Sequence, residues 1–222
     1  MNTTTQKTPL ETLRELLDEA SMESSIQMIV GGLLRDLDGE TSSMDLQLRD
    51  NEGTLVSTVR VEFDGLLEFS LDQEIFEDLD VADAAHPLLW PYVEHHAELY
   101  FYGPATDAKL LVADLYEAHV EVVKGWYPLD RFTNSLLPVQ KLLAGPSGCL
   151  ASGPTPLLRV YETVLRGAAL KCSVLESEKP RWPVAQYPDG GADDPVALLM
   201  GTSYVIARRV TGCRRINSSP SP

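Results

Sequence analysis

Histidines, cysteines and clustered carboxylates are the residues of this chain whose types could do chemistry. The histidines are His86, His95, His96 and His119. A zinc site needs three or four His, Cys or carboxylate ligands converging at about 2 Å. His95 and His96 are adjacent, so on a strand they point to opposite faces and only one joins a given site. His119 sits within the apolar arc of a helical segment. Folded back on that strand, it could meet one of the pair, with Glu94 or Glu98 as a third ligand. His95 or His96, His119 and Glu98 therefore define one alternative function, a metal-dependent hydrolase. The HExxH and HxxxH spacings are absent. A core histidine bonded to a backbone carbonyl accounts for His119 equally well, and neither a metal nor a cofactor is expected.

Nucleophile and phosphate motifs fare no better. Gly145-Pro146-Ser147-Gly148-Cys149 departs from GxSxG at its fifth position, and no strand pattern precedes it. The stretch GPSGCLASGPTP reads as a loop of turn formers. No base is placed beside Cys149, and neither GxxxxGK[ST] nor GxGxxG occurs. Asp36-Leu37-Asp38-Gly39-Glu40 carries its glycine fourth, where a calcium loop needs it sixth. Asp114, Glu117 and Glu121 form a ladder on one helix face, the wet one, where solvation suffices. Cys149, Cys172 and Cys213 are odd in number, far apart and without a CxxC, which fits free thiols in a reducing cytoplasm. The first 25 residues lack a basic region followed by an apolar core, so no signal peptide is expected. No apolar run approaches the roughly 18 residues of a spanning helix.

Two features point to binding instead. Trp126, Tyr127, Arg131 and Phe132 follow a helix directly, a composition typical of interface hot spots. Trp90, in HPLLWPYVEHH, belongs to a second segment of this kind. Such aromatics also serve to cover a core. The charge is the other feature. Residues 1–100 hold 22 acids and 5 bases, and residues 101–222 hold 11 and 13. The densest acidic stretch, Asp72–Asp83, includes Glu74, Glu77, Asp78 and Asp80 and no base; the densest basic one is Arg208–Arg215. A net charge of −15 over 222 residues argues against general nucleic-acid binding and against docking on an anionic membrane.

The elements that must position these residues follow from hydrophobic period. Thr8-Pro9-Leu10-Glu11 has a capping residue, a proline at the first helical position and a glutamate three after the cap, which predicts a helix over 9–20. Ile26, Ile29, Leu33 and Leu37 predict a second helix, weakened by Gly31-Gly32. The period then becomes two. Met44–Leu48, Ser57–Phe63 and Leu67–Leu71 read as a three-stranded meander with turns at Asp50–Gly53 and Asp64-Gly65. His96–Gly103 reads as a fourth strand. A helix starts at Thr106 or Asp107 and stops at Gly125, with Leu111, Leu115, His119 and Val122 on one arc. A short helical run covers Ser135–Ala144. Leu158, Tyr161, Leu165, Ala168, Cys172 and Leu175 keep helical spacing, and Asp194-Pro195 to Gly212 has helix-like ends although Tyr204-Val205-Ile206 favours strand.

These readings sum to an α+β fold: N-terminal helices, an antiparallel sheet of about four strands, and a mostly helical C-terminal half. Residues 1–144 form one region, 155–212 a second within or beside it, and 213–222 a disordered tail. With 44% hydrophobic and 23% charged residues the chain is globular rather than disordered. The expected function is that of a non-enzymatic, cytoplasmic protein-binding protein of adaptor, chaperone-like or inhibitor type. Its binding groups would be Glu74, Glu77, Asp78, Asp80, Trp90, Trp126, Tyr127, Arg131 and Phe132, and its partner would present a basic surface. Mimicry of nucleic acid by the acidic half is a further alternative.

Overall fold

The computed structural model describes residues 7–23, 26–35, 41–72, 75–82, 85–177 and 195–216. In chain order the elements are α1 (Pro9–Glu23), β1 (Gln27–Arg35), β2 (Thr41–Arg49), β3 (Leu55–Ser70), β4 (Ile75–Phe76), β5 (Asp80–Ala82), α2 (Trp90–Val93) and β6 (His96–Tyr102). They continue with α3 (Ala108–Val123), α4 (Val139–Leu143), β7 (Ser147–Pro154), α5 (Thr155–Gly167), β8 (Lys171–Glu176), β9 (Val196–Met200) and β10 (Ser203–Ile216). Contacts divide the chain into one unit of residues 1–83 and 193–222 and another of residues 84–192.

The first unit is a seven-stranded sheet in the order β4-β1-β2-β3-β10-β9-β5, each pairing antiparallel. Its two edge strands, β4 and β5, are separated by only Glu77, Asp78 and Leu79. Four residue steps span at most about 14 Å. A flat sheet of seven strands would hold its edges roughly 29 Å apart. The sheet must therefore curl into a half-barrel. Met44, Leu46, Leu48, Val59, Val61 and Phe63, each at most 1% exposed, alternate onto its covered face with Val205, Ala207 and Met200. Leu13 and Ala20 of α1 pack into the same cluster. The other face carries charge: Asp45 pairs directly opposite Arg60, whose guanidinium grips it at 2.7 and 2.8 Å and holds the Asp45 carboxyl below its ordinary pKa.

The second unit is a three-stranded antiparallel sheet in the order β7-β6-β8. Ala97, Leu99 and Phe101 turn to the buried side of β6, where α3 contributes Leu111, Leu115, His119 and Val123 and α5 contributes Leu157, Leu158, Tyr161 and Leu165. Asp107 caps α3, accepting from the Lys109 and Leu110 amides at 3.0 Å.

The sheet count overturns the expected fold class. Among the described residues, ten strands in two sheets replace one sheet of about four, and the described part of the C-terminal half is not mostly helical. The predicted second helix is β1: Gly31-Gly32 disfavours a helix, and a register shift between Val30 and Gly32 absorbs the glycines in a strand. The Asp64-Gly65 turn does not form. Gly65 instead takes φ +62° inside the 16-residue β3, against the Arg208 stem, so that one long strand lies between β2, paired along 55–64, and β10, paired along 58–70. The Gly/Pro-rich loop is β7. Its small residues let neighbours come close, for a Cβ on Gly153 would sit 2.7 Å from the Phe132 ring. The helix expected through Leu175 ends at Gly167, and Cys172 and Leu175 lie on β8. The final helix is the β9–β10 hairpin, whose Tyr204, Val205 and Ile206 are buried between two strand neighbours. Residues 213–216, expected to be disordered, complete β10; the expectation for 217–222, like Glu74, lies outside the described residues.

Candidate functional site

Of the acidic stretch, Glu77, Asp78 and Asp80 are exposed on and beside the link that spans the two sheet edges. Among the described residues none of the three has a salt-bridge partner. The basic stretch does not reach them. Arg209 pairs with Asp64 at 2.8 Å, Arg214 with Glu62 at 2.8 Å, and Arg215 with Glu19 at 3.5 Å. Glu77 and Asp78 border a groove of about 520 Å³. Its floor is Ala20, Met28 and Leu48, its walls include the half-buried Leu17, Ile26 and Leu79, and its rim adds Arg14 and Asp18. The residues come from α1, β1, β2 and the link, so the curl of the sheet builds the groove. Sequence reasoning found the two acids on its rim and missed the apolar floor, which belongs to the three elements at the start of the chain, well before the link in sequence.

The second unit gathers the aromatic candidates. Tyr127 and Phe132 are core residues, 2% and 6% exposed, with their rings edge to face at 5.6 Å. The Tyr127 hydroxyl donates to the Leu88 carbonyl at 2.7 Å. Arg131 is exposed and stacks its guanidinium 4.0 Å above the Tyr127 ring. Trp126, half-buried, meets His86 edge-on at 5.6 Å. Trp90 donates its indole N–H to the Ala85 carbonyl at 3.1 Å. Trp90, Arg131 and Phe132 converge with Glu94, His96 and Ser152 on a small pocket of about 60 Å³.

The histidines do not converge. His119 is 1% exposed, and both its ring nitrogens are engaged, Nε2 with the Tyr127 carbonyl at 2.7 Å and Nδ1 with the Tyr161 hydroxyl at 2.6 Å. A carbonyl only accepts, so Nε2 carries the proton and the Tyr161 hydroxyl donates to Nδ1. Burial pulls the imidazole below its ordinary pKa, the Tyr127 carbonyl offsetting part of this, and burial raises Tyr161. His95 Nδ1 meets the Ser177 carbonyl at 3.3 Å, and His96 Nε2 meets Ser152 Oγ at 2.9 Å. Glu98 accepts from Tyr100 at 2.6 Å and pushes that phenol up to about 12. Among the described residues no group of three or more His, Cys, Asp or Glu is arranged to hold a metal ion.

The Ser152–His96 contact was not legible in the sequence, where 56 residues separate the two. It resembles a nucleophile–base pair, yet the Ser152 amide is spent on the Phe132 carbonyl at 2.8 Å, leaving it no free N–H for an oxyanion. The cysteines are poor nucleophiles too. Burial raises Cys149 and Cys172, and burial followed by the Glu62 charge pushes Cys213 up to about 11.

No family model, curated protein or solved structure matches this chain. The function must be read from these two sites. Among the described residues no helix is long and apolar enough to cross a membrane.

Proposed function

We propose that this is a non-enzymatic, cytoplasmic protein-binding protein of adaptor or inhibitor type, whose acidic surface in the first unit engages a basic surface on another protein. One observation carries the reading. Arg209, Arg214 and Arg215 of β10 are matched by Asp64, Glu62 and Glu19, while Glu77, Asp78 and Asp80 lack a salt-bridge partner among the described residues. Uncompensated carboxylates on one short link repel one another, and an incoming cation relieves that repulsion. The aromatic segments contribute less than their composition suggests, since Tyr127 and Phe132 are committed to the core.

The test compares capture from native lysate by the wild-type protein and by a Glu77→Gln, Asp78→Asn, Asp80→Asn variant. A stoichiometric partner held at low salt and released by the variant and by 1 M salt supports the reading. Equal capture by both proteins, with the same salt dependence, overturns it. Displacement of that partner by duplex DNA would favour nucleic-acid mimicry instead.

A further inference from the structure

The groove bordered by Glu77 and Asp78 has features that surface charge alone does not explain. Its floor is apolar, with Ala20, Met28 and Leu48 at most 5% exposed, and Leu17, Ile26 and Leu79 are only half covered. A solvated acidic link needs no such floor. Acids stand on both sides, Asp18 on α1 and Glu77 and Asp78 on the link, against one base, Arg14. The volume of about 520 Å³ lies within the size range of ligand pockets. Four formally charged side chains in the lining, three of them acids, do not suit a compact apolar ligand, for such pockets carry few polar groups. They suit a chain segment that presents aliphatic side chains on one face and cationic side chains beside it. A symmetric dimer through this groove is a poor alternative, because a second copy would bring its own Glu77 and Asp78 rather than a cation.

We infer that the groove between α1 and the Glu77–Leu79 link docks a short segment of another protein, its aliphatic side chains on the floor and its lysines or arginines facing Asp18, Glu77 and Asp78. This rests on the basic-partner reading above and adds the place and the apolar requirement. The aliphatic contacts set affinity, since their burial removes apolar surface from water. The charges set partner choice and association rate, and weaken with salt.

The probes are a fluorescein-labelled 12-residue peptide of leucine and lysine at helical spacing and its leucine–glutamate counterpart, titrated against the full chain by anisotropy. Ser21→Trp fills the groove and leaves the acids untouched. Asn51→Trp does so from the β2 side, should the first variant misfold by circular dichroism. Glu77→Gln with Asp78→Asn removes rim charge and leaves the floor open. The expected result is binding of the lysine peptide at least ten-fold tighter than the glutamate peptide. Either tryptophan variant should weaken it ten-fold or more. The rim variant should weaken it several-fold and flatten its salt dependence, and hydrogen exchange should slow within 14–21 and 75–82. Unchanged binding by a folded tryptophan variant overturns the groove; if the rim variant still loses binding, the basic-partner reading survives alone. Equal binding of both peptides, lost in the tryptophan variants, overturns the charge pattern and that reading together. A dimer in sedimentation that Ser21→Trp dissolves would replace the partner with a second copy.

Discussion

The two units solve the same packing problem with different interiors. In the first, the half-barrel core is mainly apolar, with Ser42 and Ser203 buried at its margin, and its charged groups lie on the wet face as the Asp45–Arg60 and Arg209–Asp64 pairs. In the second, a polar chain runs through the core from Tyr161 to His119 to the Tyr127 carbonyl, and Tyr127 goes on to Leu88. The strands inside a curled sheet satisfy their backbone groups in its ladders, so the side chains on its covered face can be mostly apolar. The second unit must tie a helix end, a loop and the turn at His86–Leu89 together, and it uses hydrogen bonds that tolerate one arrangement. The first interior is therefore sensitive to lost volume, and the second to lost donors, acceptors or a changed proton count.

Reporter residues fall conveniently. All three tryptophans and all four histidines lie within 84–192. Tryptophan fluorescence follows the second unit, while far-ultraviolet dichroism follows both. The largest expected effect is Phe63→Ala, which empties a 1%-exposed site in the half-barrel and should cost about 3–5 kcal/mol. Its denaturant midpoint should fall by dichroism and stay in place by fluorescence. Coincident shifts in both signals would mean that the units unfold as one, and the comparison would collapse.

Tyr161→Phe comes next. It removes the donor to His119 Nδ1 and leaves a buried acceptor unpaired, for about 1–3 kcal/mol, read in the fluorescence transition. A cost near zero would show that the polar chain is not what fixes this core. Gly65→Ala tests the left-handed backbone position inside β3. An alanine at φ +62°, with its Cβ 2.6 Å from Arg208 Cδ, should cost about 1–2 kcal/mol by dichroism alone. Retention of full stability would mean that β3 can straighten without its glycine.

The smallest effect is a pH slope. The native state holds His119 below its ordinary pKa, so the unfolded chain takes up the proton first. The stability this contributes is complete above about pH 6.5 and falls as pH drops from there toward the depressed native value. The fluorescence midpoint should decline between pH 7 and 5, and His119→Gln should flatten part of that decline. An unchanged slope in the variant would show that His119 is not the group that sets it.

Local signals were legible where short-range physics decides. The capping box at Thr8 and Glu11 forms as read, with bonds of 2.8, 3.0 and 3.2 Å. So does the Asp50–Gly53 turn, in which Asp50 Oδ1 accepts from the Glu52 and Thr54 amides. His119 lies in the core, where the α3 arc placed it. Glycine and proline misled. Gly65, Gly148 and Gly153 read as turns, but they lie in strands that bend or let Arg208, Leu142 and Phe132 approach. Regular apolar spacing ran on past the real end of α5, because strand residues such as Cys172 and Leu175 can coincide with a helical period over a few turns.

By itself the sequence determined the first helix and its cap, the alternating strands β2 and β6, the period-two pattern of β3 though not its continuity through Gly65, the α3 helix with its buried face, and the concentration of acid before residue 100. These depend on neighbours within a turn or a strand, which composition and period encode. The tertiary structure decided the rest. It alone paired the last strand, β10, with β3, joined edges six strands apart through Glu77–Leu79, and so made a groove whose floor and rim come from α1, β1, β2 and the link. It alone paired Arg209, Arg214 and Arg215 with Asp64, Glu62 and Glu19, and turned Tyr127 and Phe132 inward. Pairing at such sequence separation depends on which distant surfaces bury one another best, and no local window contains both partners.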